Sequence, residues 1–138
     1  MVDAPRLAAL LQRIRDEVGR LGQMGARSDA ELFADPDRLP AVKYRLIVSI
    51  EAATDVADHI VASEGLRPAT SYADAFASLH EGGWIDVDLA ELLAEAARFR
   101  NLLVHQYTDV DDHRVMTIVR ERLGDLDRFV DTIADRLS

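Results

Sequence analysis

The chain has 138 residues, 49% hydrophobic, 6% aromatic and 30% charged, with no cysteine and a formal net charge of -9. This length fits one domain, 1–138, with its own core, and the apolar share is too high for a disordered acidic tail. The lack of cysteine excludes a disulfide framework, a thiol nucleophile, Cys-ligated zinc and iron–sulfur clusters, while 25 acidic against 16 basic residues oppose unspecific adhesion to nucleic acid or anionic lipid.

No apolar run approaches the ~20 residues that span a bilayer. The opening Met1-Val2-Asp3-Ala4-Pro5 lacks the charged and apolar regions of a signal peptide, so a cytoplasmic location is expected. Apolar positions recur at spacings of three and four from end to end, and no segment sustains the period-two alternation of a strand. The first helix is predicted over 4–24, with Leu7, Leu10, Leu11, Ile14, Val18 and Leu21 as its buried stripe, Asp3 as its cap before Pro5, and Gly22 and Gly25 closing it. Ser28 to Glu31 has capping-box spacing and opens a short turn, which Asp35-Pro36 and Leu39-Pro40 interrupt.

The second long helix follows Pro40, over 41–64. It carries Leu46, Ile50, Ala53, Ala57, Ile60 and Val61 on one face and Tyr44, Glu51, Asp55 and Asp58 on the other. Gly65 and Pro68 end it, Ser71 starts a shorter helix to Glu81, and Gly82-Gly83, plugged by Trp84, turns the chain into a helix over 86–106. A final helix over 111–137 buries Val115, Ile118, Val119, Leu126, Phe129, Val130, Ile133 and Leu137. The expected fold is all-α, an antiparallel bundle of four to five main helices.

Several features carry little chemistry. Gly19, Gly22 and Gly25 lack the order and the preceding strand of a phosphate loop. His59, His80, His105 and His113 are scattered with no zinc-ligand spacing, so no metal and no cofactor are expected. Glu51, Asp55 and Asp58 share one helical face, which suits either a solvated surface or the positioning of a basic group.

The informative segment is Ala97 to Tyr107. Arg100 follows Leu89 by eleven residues and Leu93 by seven, so it falls within about 20° of an otherwise apolar stripe. A guanidinium there needs a carboxylate, a phosphate or a subunit interface, because an unpaired buried charge is very costly. A purely structural role makes it an ion pair with Glu51 or Asp55 across the bundle. Asn101 and His105 are i, i+4 neighbours, so the amide is placed to orient the imidazole. Tyr107 returns to the azimuth of Arg100 two turns later.

Arg100-Asn101, four positions, then His105-Gln106-Tyr107 resembles the R-x4-H-x-Y signature of HEPN-domain proteins of the HepT type, the toxins of HepT/MntA toxin–antitoxin pairs. Ser49 to Ile60 is similar to the second-helix segment of that family, and Arg100 to Asp111 to its motif and following loop. The resemblance implies a homodimeric, metal-independent endoribonuclease acting on an RNA substrate, with Arg100 and His105 catalytic and Asn101, Glu51, Asp55 and Tyr107 in support. It also implies an MntA-like nucleotidyltransferase antitoxin that adds AMP to Tyr107. Two alternatives stay open at this point: a non-catalytic helical subunit that binds nucleotides or serves a nucleotidyltransferase, and a plain dimeric scaffold. The proline-containing segment 35–40 has no counterpart in the resemblance.

Overall fold

The structure, a computed structural model, describes residues 1–138 as seven helices and no strands. They are α1 (Ala4–Gly25), α2 (Asp29–Ala34), α3 (Arg38–Ser63), α4 (Tyr72–Glu81), α5 (Val87–His105), α6 (Asp112–Glu121) and α7 (Leu123–Leu137). Helix starts follow from side-chain caps. Asp3 accepts from the Arg6 N–H, Ser28 from Glu31, Ser71 from Asp74, Asp86 from Leu89 and Asp111 from His113, each satisfying a first-turn donor with no partner inside the helix. Gly22 lies within α1, and it is Gly25 that comes close to a neighbour: a Cβ there would sit 3.1 Å from Val119 of α6. Gly83 takes φ +80°, a conformation that favours glycine, as the chain turns from α4 towards α5.

Two boundaries differ from the sequence reading. The second long helix starts at Arg38, not after Pro40, because Pro40 occupies its first turn, where a missing N–H breaks no intrahelical bond. The expected continuous helix over 111–137 is two helices that meet at Arg122. Val119 and Leu126 are seven residues apart, so the apolar pattern keeps its phase across the break and hides it. At the junction Arg122 bonds Asp125 at 3.1 Å, and Gly124, a weak helix former, begins the next turn.

Two apolar clusters make the core. One joins α1, α3, α4, α5 and α7 around Phe76 and Phe129, whose rings meet edge to face at 5.7 Å, and includes the buried Trp84. The other joins the end of α1, α2, the first half of α3, the end of α5 and α6 around Leu46, Phe99, Leu103 and Met116. Glu51 meets Arg100 and Lys43 meets Tyr107, so α3 and α5 run antiparallel, with Glu51 of the acidic face of α3 set against the C-terminal half of α5. No helix is long and apolar enough to cross a membrane.

Candidate active site

The buried stripe of α5 comprises Leu89, Leu93, Ala97 and their neighbours, and Arg100 continues it with 16% of its side chain exposed. Its guanidinium is held from three directions. One terminal nitrogen donates to the Glu51 carboxylate on α3, the other donates to Asn101 Oδ1 at 3.1 Å, and the Tyr72 ring from the start of α4 lies 5.5 Å from the guanidinium carbon. Its Nε is buried without a hydrogen-bond partner. A planar cation fixed by a carboxylate, an amide and an aromatic face, with part of its side chain still exposed, suits recognition of a phosphoryl group through its terminal nitrogens.

Asp55 and Asp58 stay apart from Arg100. Burial, then the neighbouring Glu51, raises the Asp55 carboxyl above its ordinary range, with Arg6 opposing. Burial and Asp55 do the same to Asp58, which lines a shallow cleft with Ser71, Tyr72 and Asn101. Of the two acidic candidates, Glu51 is the one that meets the arginine.

Asn101 makes no hydrogen bond to the His105 imidazole; its carbonyl oxygen instead accepts from Arg100. His105 is the last residue of α5 and is exposed. Tyr107 does not return to the azimuth of Arg100: α5 stops at His105, Gln106 caps it with φ -128° and ψ 43°, and helical geometry no longer applies two residues on. The Tyr107 ring instead faces α3, with the Lys43 ammonium 4.5 Å from its centroid. No three His, Asp or Glu side chains converge as a metal-ligand set.

Sequence reasoning missed two participants. Lys43 is 7% exposed, and its ammonium pairs with Asp112 at 2.9 Å. The signal was available, since Lys43 precedes Leu46 by three and Ile50 by seven residues and so lies on the apolar stripe of α3, the same argument that singled out Arg100. Tyr72 carried no such signal, because its position depends on how the connection between α3 and α4 folds. Arg67 holds that connection by bonding both Asp74 and Glu81, which keeps the Asp74 carboxyl far below the usual carboxylate range. A deeper apolar cleft lined by Leu46, Ile50, Ala96, Phe99 and Ile118 includes none of Arg100, His105 and Tyr107.

The chain is 36% identical to a protein of Archaeoglobus fulgidus described as a candidate RNase, over 78% of this chain and 80% of the relative. It is 31% identical to the mRNA nuclease HepT of Shewanella oneidensis over 60% of this chain and 62% of that protein. Among solved structures, the tri-AMPylated HEPN toxin of Shewanella oneidensis, in complex with its MNT antitoxin, superposes with a TM-score of 0.85 at 26% identity, covering 98% of this chain and 99% of the toxin. A family model described as ribonuclease HepT-like matches residues 14–133, and the chain belongs to that HepT-like family.

Proposed function

We propose that this chain is a metal-independent endoribonuclease, a single cytoplasmic domain over 1–138 that works as a two-fold dimer and is the toxin of a toxin–antitoxin pair. RNA brings its own nucleophile in the 2'-hydroxyl. His105 of one copy removes that proton, the oxygen bonds to phosphorus, and the bond from phosphorus to the 5'-oxygen breaks as His105 of the second copy protonates the leaving group. Arg100 stabilises the charge that builds on the phosphorane-like transition state, and Glu51, Asn101 and Tyr72 hold it in place beforehand. The products are a 2',3'-cyclic phosphate and a 5'-hydroxyl, and DNA is spared for lack of the 2'-hydroxyl.

The observation that carries this reading is the sharing of one helix end by a preorganised, largely buried cation and an exposed imidazole. The antitoxin is a nucleotidyltransferase that modifies Tyr107. The phenol oxygen bonds to the α-phosphorus of ATP, the bond to the β-phosphate breaks, pyrophosphate leaves and the phenolic proton passes to solvent. Each AMP brings bulk and negative charge that oppose an RNA backbone near Arg100.

A structural role for Arg100 would also produce its pair with Glu51, and activity separates the two readings. His105→Ala and Arg100→Ala are each expected to lose at least about 100-fold in RNA cleavage with helicity intact, and wild-type cleavage to persist in EDTA. Wild-type rates in His105→Ala would remove the acid–base assignment.

A further inference from the structure

The chain has three tyrosines, and all are accessible: Tyr44 is 62% exposed, Tyr72 46% and Tyr107 38%. Exposure alone therefore ranks the proposed AMP acceptor last. Tyr107 sits in the turn after α5, where Asp109 and Val110 donate to the Gln106 carbonyl and the Val110 side chain is buried, so the backbone is tied down on either side of an exposed residue. Its ring differs from the other two in one contact, the Lys43 ammonium 4.5 Å from its centroid. That ammonium is itself fixed, since the Lys43 stem is buried on α3 and Asp112, in the first turn of α6, pairs with it at 2.9 Å. The Tyr72 ring, by contrast, packs on the guanidinium of the cleavage site.

We propose that Lys43, held by Asp112, is the positioning residue that selects Tyr107 for modification, by fixing its ring against α3 so that the phenol is presented in one orientation. The inference rests on Tyr107 being the acceptor. A cation over an aromatic face offsets much of the entropy lost when a side chain is immobilised at an interface, so the ring is ordered before the partner arrives and the transfer step begins from a prepared geometry.

The test combines kinetics with a measurement on the isolated protein. With the cognate nucleotidyltransferase and ATP, Lys43→Met and Asp112→Asn are expected to lower the rate of AMP transfer about tenfold or more while KM for the toxin stays within about twofold, and Lys43→Arg to restore most of it. In the isolated chain the Tyr107 ring resonances, assigned by their absence in Tyr107→Phe, should move to the positions of a mobile tyrosine in Lys43→Met. Unchanged transfer and unchanged ring resonances in Lys43→Met overturn the proposal. If Lys43→Met loses helicity, the half-exposed Asp112→Asn decides by the same two readouts. AMP found on Tyr44 or Tyr72 of the wild-type chain removes the acceptor assignment and the selective role with it, an outcome the adduct position reveals before any Lys43 variant is made.

Discussion

Replacing Glu51 with alanine leaves the Arg100 guanidinium with Asn101 and the Tyr72 ring but without its counter-charge, and its Nε already lacks a partner. Breaking a fully buried pair from one side costs about 3–5 kcal/mol, and an exposed pair contributes about 0.2–1 kcal/mol. Arg100 retains 16% side-chain exposure and Glu51 43%. The cost therefore falls between the two, at about 1.5–2 kcal/mol, which for a chain of this length is a drop of about 5–7 °C in Tm. Arg100→Met behaves differently. The remaining Glu51 is free to rehydrate and the methionine packs on the stripe of α5, so the change is expected to stay within about 0.5 kcal/mol of wild type. The double variant then recovers most of what Glu51→Ala loses. Thermal and urea unfolding followed by circular dichroism measure all three. If Arg100→Met costs as much as Glu51→Ala, the pair stabilises the fold in its own right and Arg100 is not a cation held in readiness for a ligand.

Light scattering at micromolar concentration should show a dimer, since one copy offers one His105; a strict monomer that still cleaves RNA contradicts the division of acid and base work. Tyr107→Phe keeps the ring beneath Lys43 but loses the acceptor oxygen, so intact-mass spectrometry should show no AMP adduct; an adduct on this variant places the acceptor elsewhere. Asp58 carries a carboxyl raised by burial and by Asp55, so the folded state binds its proton more tightly than the unfolded chain does. Its contribution to stability accordingly falls as pH rises from the unfolded value through the folded one. Asp58→Asn should be slightly more stable than the wild type at neutral pH, a gain that fades in acid as the Asp58 carboxyl protonates, which chemical denaturation at neutral and acidic pH checks.

Periodicity carried most of the fold. Of the expected α1 stripe, Leu7, Leu11, Ile14, Val18 and Leu21 are buried and Leu10 is only half-buried, while Leu46, Ile50, Ala53, Ala57, Ile60 and Val61 of α3 are all buried as expected. What periodicity missed was punctuation. A break that preserves phase, as between Val119 and Leu126, leaves no trace in the pattern, and a proline in a first turn resembles a helix stop although it obstructs nothing. At the site, the placement of Arg100 on a buried stripe was legible because it depends on one helix. The positions of Asn101 and Tyr107 were not, because the Asn101 amide turns to the neighbouring Arg100 and the place of Tyr107 depends on where α5 ends. Tyr72 and Lys43 enter through packing between helices, and only Lys43 left a mark in the sequence, a charge at an apolar position.

The proposed activity stands on attack by the substrate's own 2'-hydroxyl, promoted by His105 and Arg100. Incubating the purified chain with a short RNA, and with the same RNA carrying a single 2'-deoxy nucleotide at the cleaved position, tests it most directly. The products should end in a 2',3'-cyclic phosphate and a 5'-hydroxyl, with cleavage abolished at the 2'-deoxy position alone. A 3'-hydroxyl and 5'-phosphate, or undiminished cleavage at the 2'-deoxy position, would mean that water is the nucleophile and that the roles assigned to His105 and Arg100 are wrong.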